Sequence, residues 1–173
     1  MSTIAKVFTA APIGFDGSVV EVESDTVRGL PGMQIVGLGN KAIDEAKERV
    51  KSAISNSMLE YPSKRIVINL APAELPKDGT HYDLPIALAI LLSSKQLAQT
   101  NVADSLFAGE LALDGSIRPT SGAISIAEIA RKAGIKTVYL LSKNAEQASL
   151  VPDITIIPVD SLKQNGSDRK SVV

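Results

Sequence analysis

The sequence contains no cysteine and no tryptophan, and it has only three phenylalanines and three tyrosines. Without cysteine the chain cannot form disulfide bonds, thiolate metal sites or a cysteine nucleophile, which suits a reducing compartment. Proteins that bind single-stranded nucleic acids usually stack the bases on exposed aromatic rings. The scarcity of aromatic residues therefore argues against that class of binding module.

Long apolar runs and an excess of either charge are also missing. The longest apolar run, residues 84–92, is much shorter than the roughly 20 residues that cross a bilayer, and the amino terminus lacks a signal-peptide core. The 18 lysines and arginines nearly balance the 19 aspartates and glutamates, so the whole chain has no electrostatic reason to condense on nucleic acid or an anionic membrane. We expect a cytoplasmic protein without membrane contact.

The hydrophobic pattern predicts a single domain in which strands come first and then alternate with helices. The predicted strands are residues 5–14, 19–24, 33–38, 65–71, 137–141 and 154–159, with a hairpin over 106–119 that turns at Asp114 and Gly115. The predicted helices are residues 41–56, 85–94, 122–134 and 143–150. This order favours a two-layer α+β or α/β domain with a mixed sheet.

The helix over residues 85–94 is apolar on every side, so it must be covered on more than one face. Asp83 is placed to cap this helix, and Pro85 fits its first turn. The only histidine of the chain, His81, lies in the polar loop immediately before it.

Asp78, His81 and Asp83 fall within six residues, and imidazole with carboxylates suits zinc or manganese. Neighbouring residues of a short loop rarely aim at one point, however, and there is no second histidine. The simpler interpretation is that His81 is exposed or bonded to a loop carbonyl group.

His81 could instead act as a general base, which would require a nucleophile within hydrogen-bonding reach. Thr80, Tyr82 and the distant Ser121 are the available hydroxyl groups. The sequence contains no spacing that fixes such a geometry, so a hydrolase built on His81 remains an alternative hypothesis.

The segment GLGNKA, residues 37–42, formally fits a dinucleotide-binding fingerprint. The acidic residue expected about 20 positions later would be Glu60, which precedes Tyr61 and Pro62 instead of ending a strand. A tight glycine turn before a helix explains the segment better, and no cofactor is implied. A P-loop motif is absent, so the chain as given is not a P-loop ATPase.

The charged residues of the helix over 41–56 alternate in sign, which is typical of a solvated face and not of a phosphate-binding track. They are Lys41, Asp44, Glu45, Lys47, Glu48, Arg49 and Lys51. Arg131, Lys132 and Lys136 form a small basic cluster near a helix end, where cations complement the helix dipole.

Several separated segments of the chain are similar to the proteolytic domain of Lon proteases. They resemble more closely the amino-terminal domain of the magnesium-chelatase-like AAA+ family typified by ComM and YifB. The segments are LAPAELPKDGTHYDLPIALAIL, GELALDGSIRPTSGA and RKAGIKTVYLLSKNAEQA, with KVFTAAPIGFDG and GLPGMQIVGLGNKAIDEAKERVKSAI matching the start of that family. The resemblance covers about residues 4–162, and the motifs agree in order.

In Lon the catalytic serine lies in the loop PKDGPSAG, and a lysine beyond the next hairpin activates it. The aligned loop residues here are Lys77, Asp78, Gly79, His81 and Asp83, with His81 at the serine position. The lysine region falls on residues 121–126, which contain no lysine. Both members of the catalytic dyad are therefore absent, and the resemblance implies no catalytic residue, no cofactor and no metal in this chain.

The resemblance implies a Lon-protease-like, ribosomal-protein-domain-2-like α+β fold with a left-handed β-α-β crossover over residues 1–164, followed by a disordered tail over 165–173. It further implies a non-catalytic domain that accompanies an AAA+ ATPase module and serves ring assembly or engagement of DNA or protein partners in recombination and transformation.

The sequence ends before such a module could begin, so we expect either an excised domain or a short natural protein, with homo-oligomers only in the full-length ring. Two alternatives remain. One is a diverged hydrolase or metal-dependent enzyme that uses the His81 loop, and the other is a stand-alone module that binds DNA weakly.

Overall fold

The computed structural model of the protein describes residues 4–13, 16–37 and 39–162. The strands are β1 (Ile4–Ile13), β2 (Asp16–Val27), β3 (Gly32–Val36), β4 (Arg65–Ala71), β5 (Ser105–Phe107), β6 (Glu110–Leu111), β7 (Ile117–Arg118), β8 (Thr137–Leu140) and β9 (Thr155–Pro158). The helices are α1 (Lys41–Asn56), α2 (Asp83–Ser93), α3 (Ala123–Lys132) and α4 (Ser142–Ala148), with a short 3-10 helix at Gln99–Asn101. The tail predicted for residues 165–173 lies outside the described residues.

Seven of the strands form one mixed sheet in the order β3-β4-β2-β1-β5-β8-β9. The pairs β1–β2 and β2–β4 are antiparallel, whereas β3–β4, β1–β5, β5–β8 and β8–β9 are parallel. The short strands β6 and β7 form a separate antiparallel hairpin. Its turn contains Asp114 and Gly115, and Gly115 has the positive φ of 91° that was expected of this pair.

Two hydrophobic clusters occupy opposite faces of the sheet. Strand β5 makes the division clear, because Phe107 belongs to the cluster with α1 and α2 while its neighbour Leu106 belongs to the cluster with α3. Successive residues of a strand point to opposite faces. Helix α2 is buried along its whole length against β1, β2, α1 and β6, as its apolar sequence predicts.

The mixed sheet with packed helices confirms the predicted α+β, Lon-like fold class. The unit β3–α1–β4 is a parallel β-α-β crossover, whose left-handedness stays a prediction from the resemblance. The predicted hairpin over 106–119 was too long at its start. Leu106 and Phe107 are both buried, one on each face of the large sheet, and they belong to β5 in its interior.

No helix in the described part of the chain combines the length and the apolar character needed to cross a bilayer.

Candidate functional site

The loop that aligns with the catalytic serine loop of Lon joins β4 to α2 and lies against the turn between β3 and α1. Gly39 and Lys77 form a parallel bridge between the two segments. The ammonium group of Lys77 donates to the carbonyl oxygens of Gly37, at 2.6 Å, and Pro72. Lys77 is buried, and this burial lowers the pKa of its ammonium group. Lys77 therefore connects the β4–α2 loop to the turn between β3 and α1 by donating to a main-chain carbonyl group in each.

The turn between β3 and α1 is the GLGNKA segment. Gly37 has φ of +110°, and a Cβ atom at this position would lie 2.2 Å from the carbonyl oxygen of Leu70, so no larger residue fits. The Asn40 side chain accepts from the Ile43 N–H and thereby caps α1, and its amide donates to the Asp78 carboxylate. The glycines thus serve a tight turn before a helix, as expected from the sequence. Glu60 lies in the segment between α1 and β4, so it does not directly follow a strand.

His81 is only 7% exposed. Its Nε2–H donates to the carbonyl oxygen of Ala10 in β1, at 2.7 Å. Because a carbonyl oxygen can only accept, this bond assigns the proton to Nε2 and leaves Nδ1 of the neutral ring without one. Burial lowers the pKa of the imidazole, against the opposing effects of the Ala10 bond and Asp78. The expectation of an exposed His81 was wrong, and its partner is a strand carbonyl group.

Asp83 does not cap α2, contrary to the expectation from its position. It is the first residue of the helix, and its carboxylate turns away to form a buried ion pair with Arg49 of α1. Arg49 donates to both oxygens, at 2.7 and 3.1 Å, and the Leu111 N–H donates at 3.0 Å. Burial raises the pKa of Asp83 to about 6, while the bonds from Arg49 and Leu111 oppose that rise.

Arg49 was wrongly assigned to the solvated face of α1. Its side chain is 19% exposed and reaches inward, and its hydrogen bond to Asp83 raises the pKa of the guanidinium group. The sequence contains a signal for this position, since Arg49 stands three residues after Ala46 and four before Ala53, which are both buried. Arg49 is the residue of this site that sequence reasoning missed.

The hydroxyl groups near His81 are not arranged as nucleophiles. The Thr80 hydroxyl donates to the Glu110 carboxylate at 2.8 Å. Burial raises the pKa of Tyr82, whose hydroxyl group has no hydrogen-bond partner among the described residues. Ser121 lies in the turn before α3, and no hydrogen bond joins it to His81 in the described chain.

The three candidate metal ligands do not converge. The Asp78 carboxylate accepts from Asn40, and the His81 ring donates to the Ala10 carbonyl group. The Asp83 carboxylate accepts from Arg49 and Leu111. Within residues 4–13, 16–37 and 39–162, no group of three or more histidines, aspartates and glutamates is placed to hold a metal ion. The loop therefore acts as a connection between β1, α1, α2 and the β6–β7 hairpin.

Some of the remaining charges noted in the sequence form ion pairs at the surface. On α1, Lys47 pairs with Asp44 at 2.9 Å and Lys41 lies 3.9 Å from Glu45. In the small basic cluster, Arg131 pairs with Glu128 at 2.8 Å in the last turn of α3.

Comparison with known proteins places these features in a family. A family model described as "Subunit ChlI of Mg-chelatase" matches residues 22–144. The YifB protein of Salmonella typhimurium is 44% identical over 149 residues, which is 86% of this chain and 29% of that protein. The competence protein ComM of Haemophilus influenzae is 41% identical over 151 residues, covering 87% of this chain and 30% of that protein.

The Lon protease of Mycolicibacterium smegmatis is more distant, at 25% identity over 158 residues, which is 88% of this chain and 19% of the protease. This similarity agrees with the Lon-like fold. The chain spans about three tenths of the length of the YifB and ComM relatives. Since the family model matches more than half of the chain, the chain belongs to the magnesium-chelatase family described as subunit ChlI, as its resemblance to YifB and ComM indicated.

Proposed function

We propose that this chain is a non-catalytic domain of a magnesium-chelatase-like AAA+ protein, where it serves ring assembly or the engagement of DNA or protein partners. The observation that carries the proposal is the state of His81. At the position that aligns with the Lon nucleophile, the chain has a buried imidazole bonded to the Ala10 carbonyl group.

The chemistry of acyl transfer supports this proposal. A serine-type peptidase needs a hydroxyl group next to a base, with space for a carbonyl carbon above the hydroxyl oxygen. The Nε2 atom of His81 is engaged by Ala10, and the side of the ring at Nδ1 lies against Gly79, where an added Cβ atom would be 3.0 Å from Nδ1. Of the two hydroxyl groups adjacent to His81 in sequence, that of Thr80 is bonded to Glu110, and that of Tyr82 is buried without a hydrogen-bond partner among the described residues.

The catalytic part of the proposal is tested with fluorogenic peptides and casein as substrates. We expect no turnover by the purified chain and none by the His81→Ala variant, while a Lon protease in the same assay supplies the positive control. Hydrolysis by the chain that disappears in His81→Ala would overturn the proposal in favour of a diverged hydrolase.

The assembly part is tested in a chimaera in which this chain replaces the matching segment of the Salmonella YifB relative. We expect the chimaera and the intact relative to form the same ring in the presence of ATP, measured by sedimentation velocity. A truncated relative without the segment is the matched control. If the truncated protein assembles equally well, the domain has no role in assembly.

A role in DNA recombination is proposed from the name of the competence protein ComM and from the family resemblance. It is tested by titrating salt against binding of single- and double-stranded DNA, because each phosphate contact adds to the salt dependence. We expect weak binding by the isolated chain and stronger binding by the chimaera. We also propose the cytoplasm as the compartment.

A further inference from the structure

Strand β3 forms one edge of the sheet and leaves part of its main chain open. Gly32 donates its N–H to the Lys64 carbonyl oxygen at 3.3 Å, so Gly32, and by alternation Gln34, point their main-chain groups toward β4. The N–H and C=O groups of Met33 and Ile35 then point away from the sheet. No hydrogen bond from the Met33 or Ile35 N–H occurs within the described residues outside the sheet ladder.

A groove runs along the face of this edge that is turned away from α1. It encloses about 460 Å³ and is lined by Arg28, Gly29, Leu30, Gly32, Met33, Gln34 and Arg65. Leu30 is 90% exposed, and a Cβ atom added to Gly32 would meet nothing within 4 Å. Neither Arg28 nor Arg65 has an ion-pair partner among the described side chains.

A second groove lies on the other face of the same edge, beside α1. It encloses about 220 Å³, shares Gly32 and Met33 with the first, and is also lined by Pro31, Lys47, Glu48, Lys51 and Tyr61. The Lys51 ammonium group lies 5.7 Å from the centre of the Tyr61 ring. The two grooves together present Arg28, Arg65 and Lys51, which have no ion-pair partner among the described side chains, against the carboxylate of Glu48, while Lys47 is paired with Asp44 at 2.9 Å.

We propose that an extended acidic peptide segment of a partner protein binds here by adding a strand to β3. Its main chain would pair with the open groups of Met33 and Ile35, which gives affinity. Successive side chains of an extended peptide point to opposite faces, so they would enter the two grooves alternately, and their carboxylates would meet Arg28 and Arg65 on one face and Lys51 on the other. This binding does not depend on whether the His81 loop is catalytic.

A peptide fits this edge better than a nucleic acid does. Phosphate groups could meet the arginines, but they supply acceptors only and would leave the outward C=O groups of Met33 and Ile35 without partners. The grooves contain one aromatic ring, that of Tyr61, which is half-buried against the core with Lys51 over it, so they lack the several exposed rings of a stacking platform.

The probe is a fluorescein-labelled peptide of about ten residues in which pairs of glutamates alternate with pairs of valines, so that both of its faces carry carboxylates. We expect the full chain to bind it with a Kd of about 10 to 100 μM, measured by fluorescence anisotropy, and more weakly as salt increases. The same peptide with lysine in place of glutamate is the charge control. A version with methylated main-chain nitrogens is the control for strand pairing.

Two sets of variants locate the site. Arg28→Gln and Arg65→Gln should each weaken binding about three- to tenfold, whereas Lys143→Gln should not. Lys143 is exposed on α4, next to the opposite edge of the sheet. Met33→Pro removes an outward N–H and should abolish binding, while Met33→Ala loses similar packing but keeps the N–H and should bind.

Several results would overturn the proposal. They are equal binding of the lysine peptide, equal binding of the methylated peptide, and no binding at about 1 mM. Binding of a single-stranded oligonucleotide in place of the peptide, with the same loss in Arg65→Gln, would make the edge a nucleic-acid site. Concentration-dependent dimers that Met33→Pro removes would make it an interface between copies of this chain. If Met33→Pro does not fold, the arginine variants and the methylated peptide decide.

Discussion

The two ends of strand β4 differ in how their charged groups are partnered. Beyond its last residue, Ala71, the loop places Lys77, His81 and Asp83 in buried positions, each bonded to other parts of the chain. At its first residue, Arg65 projects with Arg28 into an open groove, and neither has an ion-pair partner in the described part of the chain.

The difference teaches that residue type alone does not separate a structural site from a binding site. A buried charged group is stable only when its partners compensate for the lost water, and the groups that compensate are then not available to a ligand. A charge that remains solvated keeps its bonding capacity for a partner molecule. The loop after β4 contains the residue types typical of an active site, but the charged groups without an ion-pair partner lie at the opposite end of β4.

The largest expected effect on stability is at the end of β4 that follows Ala71, where the charged groups are buried and bonded, and which we call the closed end. Arg49→Ala would leave the Asp83 carboxylate buried and unpaired, and we expect the free energy of unfolding to fall by about 3 to 5 kcal/mol. Urea denaturation measures this change. Glu45→Ala is the matched control, because Glu45 is exposed, lies 3.9 Å from Arg49, and should matter by less than about 0.5 kcal/mol. A loss below about 1 kcal/mol for Arg49→Ala would mean that the ion pair does not hold the loop.

The next effect is expected at Gly37, which follows β3, in comparison with Gly32, the first residue of β3. Gly37→Ala must place a Cβ atom 2.2 Å from the Leu70 carbonyl oxygen at φ of +110°, and we expect a loss of about 2 to 4 kcal/mol. Gly32→Ala meets nothing within 4 Å and should change the free energy of unfolding by no more than about 0.5 kcal/mol. Equal effects of the two substitutions in urea denaturation would contradict the difference between the tightly packed end of β4, near Gly37, and the open end, near Gly32.

Much of the fold could be predicted from the sequence because its signals are local. The periodicity of α1, the apolar run of α2 and the Asp114-Gly115 turn each specify an element without knowledge of the rest. The assignment of Leu106 and Phe107 failed because β5 pairs with β1 and β8, which are far away in sequence. Such long-range parallel pairing leaves no signal in a short apolar segment.

The site was harder to predict because its bonds join distant parts of the chain. The sequence identified the loop, but not that His81 would meet Ala10, 71 residues away, or that Asp83 would meet Arg49 instead of the end of its own helix. A cap is a local preference, and the buried ion pair overrides it. Neither groove of the β3 edge was predicted either, since Arg28 and Arg65 meet only through the pairing of β2 with β4.

A smaller effect is expected in the titration of His81, whose C2 proton gives a single NMR resonance because the chain has one histidine. Burial lowers the pKa of His81 below its ordinary value of about 6.5, so the midpoint should fall below that value. Between the two values the unfolded chain binds more protons than the folded chain. The stabilising contribution is therefore complete above about pH 6.5 and is lost as the pH falls through the folded pKa.

This loss amounts to about 1.4 kcal/mol for each unit by which the pKa is lowered. The His81→Gln variant should lack this part of the pH dependence in urea denaturation. A midpoint at or above about 6.5 would show a histidine that is accessible to water or paired with an acid. It would contradict the description of His81 as buried and bonded to the Ala10 carbonyl group.

The smallest effect on stability is expected at the other end of β4, where Arg28 and Arg65 lie in the open groove. The comparison with Arg49 is direct because all three residues are arginines. Arg28→Gln and Arg65→Gln should each change the free energy of unfolding by less than about 0.5 kcal/mol, since neither guanidinium group has an ion-pair partner in the described structure. Arg49→Gln, with an identical change of side chain, should cost several times more. If Arg65→Gln destabilised the chain as Arg49→Gln does, Arg65 would be a structural residue and the groove would lose half of its free positive charge.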